Sequence, residues 1–121
     1  MFKNIIAIFF GGALGSVLRY LCTQYFNGLL GTLFVNTAGS FAIGFLFNLF
    51  ASVSLSAELR LFLMSGFLGG FTTFSTYSLE TMHLLLEGNV KYALLNIALN
   101  NVLSIVFVIL GMMLCRAVIS R

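Results

Sequence analysis

Charged side chains are scarce in this sequence. Only 7% of its 121 residues are charged and 60% are hydrophobic, whereas a typical soluble domain carries about 25% charged residues. Uncharged runs of 38, 19 and 24 residues separate three pairs of charges: Arg19 and Glu58, Arg60 and Glu80, Lys91 and Arg116. Since a helix crosses a bilayer with about 20 apolar residues, the composition predicts a membrane protein. It excludes a water-soluble enzyme, a secreted disulfide scaffold and a large extramembrane receptor.

Other residue types are missing or rare as well. Proline and tryptophan are absent, so any break in a helix must come from glycine or from side chains that bond to the backbone. Cys22 and Cys115 have no CxxC pattern and no paired histidine, which gives no support to a metal site or a disulfide framework. The six basic residues are scattered and form no patch that would follow a phosphate backbone. We therefore predict no nucleic-acid partner.

The apolar runs predict four membrane spans within a single domain, residues 1–121. The spans cover residues 4–26, 31–51, 58–86 and 91–115. Their connections are very short, which predicts antiparallel neighbours. The apolar run after Lys3 is similar to a signal peptide, but it continues past Gly15 into a longer span. We interpret it as the first helix of the mature protein.

The third span contains a Gly69-Gly70 pair followed by a run rich in serine and threonine. With 29 residues, it is longer than one straight crossing requires. Glycine and threonine lower helix propensity, and hydroxyl side chains can satisfy the backbone groups that a break releases. We predict a break within residues 69–75. Irregular backbone at membrane depth persists only under protein or beside water, so a break indicates a functional element; a merely kinked helix is the alternative.

Polar side chains recur every four residues on the second and fourth spans. The second span carries Thr32, Asn36 and Ser40; the fourth carries Tyr92, Asn96, Asn100 and Ser104. Such a series either holds helices together through hydrogen bonds or lines a pore. None of these residues is a carboxylic acid or a base. A proton-coupled transporter needs such an ionisable group near the membrane centre. Neutral donors favour a passive pathway for an anion.

The remaining ionisable residues give little sign of proton transfer. Glu58 and Glu87 lie near span ends, and Glu80 lies on the tail of the predicted broken helix. His83 is interpreted as structural. Arg19 has no carboxylate at helical spacing, so it either extends to the interface or faces an internal aqueous vestibule.

Two aromatic residues follow the predicted break on one helix face. Phe74 and Tyr77 are three residues apart, and the positive edge of an aromatic ring can contact a small anion in a dry site. Packing against lipid is the alternative.

Small residues at four-residue spacing predict close helix contacts. The pairs are Gly11 and Gly15, Gly12 and Ser16, Ser40 and Gly44, Ser65 and Gly69, and Gly66 and Gly70. Four short helices can hide little polar surface in one chain. We therefore predict an oligomer.

Three motifs occur in order along essentially the whole chain. They are GGALG at 11–15 with Arg19-Tyr20, GTLFVN at 31–36 with Gly39-Ser40-Phe41, and GGFTTFST at 69–76. Together they resemble the CrcB/Fluc family of fluoride ion channels. The resemblance implies an all-α membrane subunit with four transmembrane helices, the third broken, that assembles as an antiparallel dimer. It also implies passive export of fluoride across the plasma membrane and protection against fluoride toxicity.

The resemblance implies roles for individual residues. The pore would be lined by Phe74, Tyr77, Asn36, Thr32, Tyr92, Asn96, Asn100 and Ser104. Gly69 and Thr72 would hold a structural sodium ion through backbone carbonyls, one set from each subunit, and Arg19 would lie near the vestibule. Tyr77 stands where the family more often has phenylalanine, so its hydroxyl would either donate to fluoride or plug the path. Asn96 and Asn100 stand where serine is expected.

Basic residues are unevenly distributed between the two ends of the spans. Four lie on the side of both termini, Lys3, Arg60, Arg116 and Arg121, while the other side has Lys91 and Arg19. This bias predicts cytoplasmic termini. A chain that inserts in both orientations should show little bias, so the antiparallel partner is either a second copy or an oppositely oriented paralogue.

Two other functions fit the composition less well. A four-helix dual-topology multidrug or cation exporter needs an acid in the first span and aromatic residues, usually tryptophan, and this chain has neither that acid nor any tryptophan. A non-transporting assembly subunit would explain the polar series but not the glycine pair. No group of residues indicates catalysis, so we predict no enzymatic activity.

Overall fold

The computed structural model describes all 121 residues, and it contains helices and no strands. Helix α1 covers Phe2–Phe26 and α2 covers Gly28–Ser52. Residues 57–71 form α3, Phe74–Leu86 form α4, and Val90–Ile119 form α5. Helices α1, α2 and α5 are each long and apolar enough to cross a membrane. The predicted all-α architecture is confirmed, with α3 and α4 together occupying the predicted third span.

The helices extend beyond the predicted spans at several ends. Helix α5 continues past 115 to Ile119, and α2 begins at Gly28 instead of 31. An apolar window marks the membrane core, whereas a helix ends only where its backbone bonding is interrupted. Between α1 and α2 only Asn27 is non-helical, and Asn27 and Gly28 both have φ 56°. Asparagine and glycine tolerate this left-handed conformation. The chain can therefore reverse its direction between α1 and α2 without a longer loop.

Helix α3 changes its hydrogen-bonding pattern along its length. The hydroxyl of Ser56 accepts from the Leu59 amide at 3.1 Å and begins the helix. Ala57–Arg60 is α-helical, Leu61–Leu68 is π-helical, and Gly69–Phe71 returns to α-helix. A π-helical turn within a helix often accompanies a functional site, and this one leads directly to the end of α3.

Backbone contacts through glycine join α1 to α3. A Cβ atom built on Gly15 would lie 2.0 Å from the carbonyl oxygen of Phe67, and one built on Gly11 would lie 2.3 Å from that of Phe62. From the other side, a Cβ atom on Gly66 would lie 2.8 Å from the Ile8 oxygen. Side chains are excluded from this crossing, as the small-residue spacing predicted.

A second close crossing joins α2 to α5. A Cβ atom on Gly44 would lie 2.1 Å from the Val108 oxygen, and one on Gly111 would lie 2.0 Å from the Phe41 oxygen. The chain is therefore built from two tightly packed helix pairs.

Few side chains are buried within the chain. Only 19 of 121 residues are buried, and the apolar core is formed by Val35, Leu68 and Phe71. Most large apolar side chains point outward, which suits contact with lipid or with another subunit.

Candidate functional site

The helical backbone is interrupted between α3 and α4. Thr72 and Thr73 are extended, with ψ angles of 157° and 118°. The Thr72 hydroxyl donates to the Leu68 carbonyl at 2.9 Å, and the Thr73 hydroxyl accepts from the Thr76 amide at 3.2 Å. The Leu68 carbonyl also accepts from the Thr72 amide at 3.0 Å, so only the Thr73 hydroxyl satisfies a backbone group that the interruption releases, the Thr76 amide at the start of α4. Hydroxyl groups that bond in this way allow an interruption to persist inside a membrane.

Asn36 on α2 holds the interruption in place. Its Oδ1 atom accepts from the Thr73 amide at 2.9 Å, and its Nδ2 atom donates to the Thr73 carbonyl at 3.1 Å. The same nitrogen donates to Oδ1 of Asn100 on α5 at 2.9 Å. Both amide hydrogens of Asn36 are thus used, and one side chain connects α2, the interruption and α5.

A positive charge reaches the interruption from α1. The Nη1 atom of Arg19 donates to the Thr72 carbonyl at 3.2 Å. A guanidinium group presents several donors in one plane, so it can satisfy a carbonyl at the end of α3 that has no helical partner.

Another carbonyl at the interruption lacks its usual helical partner. In a continuous helix the Thr73 amide would donate to the Gly69 carbonyl, but it donates to Asn36 instead. A Cβ atom built on Gly69 would meet only one atom within 4 Å, the Met64 oxygen at 3.9 Å. Gly69 therefore has a carbonyl without a helical partner, and the space beside its Cα atom is open.

A cleft of about 420 Å³ opens beside the interruption. Its wall contains hydroxyl, amide and apolar groups and no Asp, Glu, Lys or Arg. It brings together seven residues predicted for the site: Asn36, Gly69, Thr72, Phe74, Tyr77, Asn100 and Ser104. The cleft is a neutral cavity lined by polar and apolar groups, and most of its amide and threonine donors bond to the chain itself.

The two aromatic rings after the interruption contact each other. Their centroids are 5.2 Å apart with an interplanar angle of 68°, an edge-to-face arrangement. Tyr77 is buried, whereas 73% of Phe74 is exposed. The Phe74 ring thus presents most of its surface outside the chain.

A buried series of hydrogen bonds lies behind the cleft. Asn100 donates to Oδ1 of Asn96 at 3.0 Å, and Asn96 donates to the Thr81 hydroxyl at 3.0 Å. Thr81 in turn donates to the Tyr77 carbonyl at 2.8 Å. Asn96 is not among the residues that line the cleft; its amide connects α5 to α4.

Thr32 pairs with an acid on α4. The Thr32 hydroxyl donates to Oε1 of Glu80 at 2.7 Å, and Oε2 of Glu80 is buried without a partner. Thr32 is fully buried and does not line the cleft.

Tyr92 lies apart from the other predicted pore residues. Its side chain is 58% exposed near the start of α5, and it does not line the cleft.

The chain is similar in sequence to a known protein family. The family model described as "CrcB-like protein, Camphor Resistance (CrcB)" matches residues 6–112. The chain belongs to the CrcB family. The relatives of this CrcB chain include proteins named "Fluoride-specific ion channel FluC" from Campylobacter fetus, 46% identical, and from Serratia proteamaculans, 42% identical. The alignments cover 91% of each chain for the first and 94% of each for the second.

A relative with the same name occurs in Pyrococcus abyssi. It is 41% identical, and the alignment covers 94% of this chain and 97% of that protein. The family resemblance inferred from the motifs is thus confirmed, and the CrcB chain is a multi-pass protein of the plasma membrane.

Three residues of the CrcB site were not predicted. Asn101 lines the cleft and bonds to Tyr77, whereas Glu80 and Thr81 bond to the predicted residues Thr32 and Asn96. Glu80 follows Tyr77 by three residues and Thr81 follows it by four, so both share its helix face. That spacing was the available signal, and Glu80 is also the only Asp, Glu, Lys or Arg in α4.

Thr32→Val is expected to lower the thermal stability of the CrcB chain in detergent. It removes the hydrogen bond of a carboxyl group whose other oxygen is already unpartnered, and an unsatisfied buried polar group costs about 1–3 kcal/mol. Thr37→Val is the matched control, because the Thr37 hydroxyl bonds only to carbonyls of its own helix. Equal shifts of the unfolding midpoint in the two variants would contradict this role for Thr32.

Proposed function

We propose that this chain is a subunit of a fluoride-selective channel. Fluoride would pass from the cytoplasm down its electrochemical gradient, which lowers intracellular fluoride and protects against its toxicity. Three full-length relatives carry the name of a fluoride-specific channel. Transport of this kind makes and breaks no covalent bond, so we assign no enzymatic activity.

The neutral cleft is the observation that carries this proposal. Its wall offers the hydroxyl groups of Ser40, Tyr77 and Ser104, whose hydrogens bond to no group of the chain, and an aromatic pair, but no charged side chain. Fluoride is a small, strongly hydrated anion, and such donors can replace part of its hydration shell. Because no lysine or arginine lines the cleft, binding remains weak enough for the ion to leave.

The pore assignments divide into two groups. Phe74, Tyr77 and Ser104 would contact the ion, because they line the cleft and none of them donates a hydrogen bond within the chain. Asn36 and Asn100 line the cleft as well, but their amide hydrogens bond to the chain itself, so they would shape the pathway. The second group does not line the cleft. Thr32 and Asn96 would support its wall through hydrogen bonds, Tyr92 would lie at an entrance, and Arg19 would lie at the vestibule.

We further propose that a second subunit completes the pathway in an antiparallel dimer. Phe74 is mostly exposed and Gly69 faces open space, so the interruption between α3 and α4 presents unfilled surface to a partner. The broken helix would then be the central functional element of the dimer. The partner is a second copy or an oppositely oriented paralogue.

A sodium ion at the dimer interface is the third part of the proposal. Hard cations bind oxygen ligands, and the carbonyls of Gly69 and Thr72 fit this preference because neither has a helical partner. Arg19 already donates to the Thr72 carbonyl and adds a positive charge there, so Gly69 is the better ligand of the two. The ion would neutralise carbonyl dipoles where two subunits meet.

Ion efflux from liposomes tests the proposed function. Liposomes containing this chain alone are loaded with potassium fluoride or potassium chloride, and a potassium ionophore then allows anions to leave. We expect rapid loss of fluoride and retention of chloride, with protein-free liposomes retaining both.

Two results would count against this proposal. Loss of both anions would contradict selectivity. If the folded protein releases neither anion, co-reconstitution with an oppositely oriented paralogue must restore fluoride efflux, and failure there would refute the channel function.

A further inference from the structure

The Tyr77 hydroxyl has a hydrogen-bond partner on α5. The Nδ2 atom of Asn101 donates to the Tyr77 oxygen at 3.1 Å and to the carbonyl of Ile97 at 2.8 Å. An amide nitrogen carries two hydrogens, so both bonds form together. Asn101 is thereby anchored on its own helix while it presents a donor to Tyr77.

The Ile97 carbonyl fixes the orientation of the Asn101 amide. If the amide were flipped, its oxygen would face the carbonyl oxygen, and two acceptors would meet without a hydrogen between them. The Tyr77 oxygen is therefore the acceptor towards Asn101. This is the only hydrogen bond of the Tyr77 hydroxyl within the chain, so its own hydrogen is free for a ligand.

The free hydrogen belongs to a residue of the cleft wall. Tyr77 and Asn101 both line the cleft, and only 7% of Tyr77 is exposed, so the ring has little freedom to turn the hydroxyl away. A hydroxyl that accepts one hydrogen bond becomes a stronger donor in the next. An O–H donor bonds most strongly to an anionic acceptor.

We propose that the Tyr77 hydroxyl donates a hydrogen bond to fluoride in the cleft and that Asn101 positions it. This inference rests on the proposed channel function and deepens it. Under this inference the Tyr77 hydroxyl binds fluoride and does not obstruct the pathway. Tyr77 would contact the ion, whereas Asn101 acts through Tyr77 and is a positioning residue.

Fluoride efflux measured over a range of fluoride concentrations tests the inference. Tyr77→Phe removes only the hydroxyl, and we expect the half-saturating fluoride concentration to rise about tenfold, as for a lost hydrogen bond to an ion. Asn101→Leu should raise it by a smaller factor, and the double variant should match Tyr77→Phe. Tyr25→Phe is the matched control, because Tyr25 is 81% exposed on α1 and its hydroxyl bonds to no group of the cleft.

The outcomes separate this inference from the proposed function. An unchanged or lower half-saturating fluoride concentration in Tyr77→Phe would overturn it, because the hydroxyl would then contribute nothing to fluoride binding. Additive effects of the two substitutions would overturn the positioning role of Asn101. A folded wild-type protein that passes no fluoride, alone or with a paralogue, would overturn the channel function and this inference with it.

Discussion

Gly15→Ala is expected to prevent the chain from folding stably. The new Cβ atom would lie 2.0 Å from the Phe67 oxygen and 3.0 Å from the Phe71 nitrogen. These are backbone atoms of α3 and cannot rotate away, so α1 and α3 must separate. Overpacking of this kind typically costs about 1–3 kcal/mol, and here it would also draw Arg19 away from the interruption. Recovery of monodisperse protein after gel filtration in mild detergent, with its unfolding midpoint, measures the effect.

Gly12→Ala is the control for this prediction. Gly12 lies on the same helix, but its Cβ atom would lie 3.8 Å from the nearest neighbouring atom, the Gly66 oxygen, an ordinary contact. We expect near wild-type recovery. Equal losses in the two variants would show that alanine in this part of α1 is harmful for a reason other than the crossing with α3.

Asn36→Leu is expected to reduce fluoride efflux by about 100-fold, as two or more lost hydrogen bonds would. Leucine has a similar size but leaves the amide and carbonyl of Thr73 and the side-chain oxygen of Asn100 without these partners. The interruption would then rearrange and the cleft would change shape. Liposome efflux of fluoride, normalised to the amount of folded protein, measures the effect.

Asn48→Leu controls for the loss of a buried amide. Asn48 is also buried on α2, but it donates to the Met112 carbonyl and does not line the cleft. This variant should lose stability and keep wild-type efflux per folded protein. Equal losses of efflux would refute a specific role for Asn36, and so would wild-type efflux in Asn36→Leu.

Local features of the fold were predictable from the sequence. The apolar spans predict where the membrane-crossing helices lie, though not where they end, and the structure interrupts the third span at Thr72 and Thr73, inside the segment 69–75. The low helix propensity of this segment can be inferred without knowing the neighbours. The exact position cannot, because Gly69 and Gly70 remain helical and the extended residues, Thr72 and Thr73, are held by Arg19 and Asn36. The effect of the small residues of α1 can also be inferred without knowing the neighbours, since only a close helix contact uses them.

Contacts between distant residues were not predictable. Thr32 and Glu80 are 48 residues apart, and Asn101 and Tyr77 are 24 apart. Whether such side chains meet depends on the rotation and depth of each helix. The periodicity of one helix leaves both undetermined.

The polar series on α5 shows the limit of four-residue spacing. An α-helix has about 3.6 residues per turn, so each step of four residues turns the direction of the side chain by roughly 40°. From Tyr92 to Ser104 the series winds about a third of the way around the helix. Ser104 therefore lines the cleft while Tyr92 lies exposed, although the two belong to one regular pattern.

The single-residue link at Asn27 has a consequence for biogenesis. With one non-helical residue between α1 and α2, the two helices form a hairpin that the insertion machinery must orient as a unit. Lys3 at the start of α1 would then influence both helices together. In the antiparallel homodimer proposed above, the inverted copy would have to be committed before α2 is released into the bilayer, so the ratio of the two orientations would be set during synthesis of the first half of the chain.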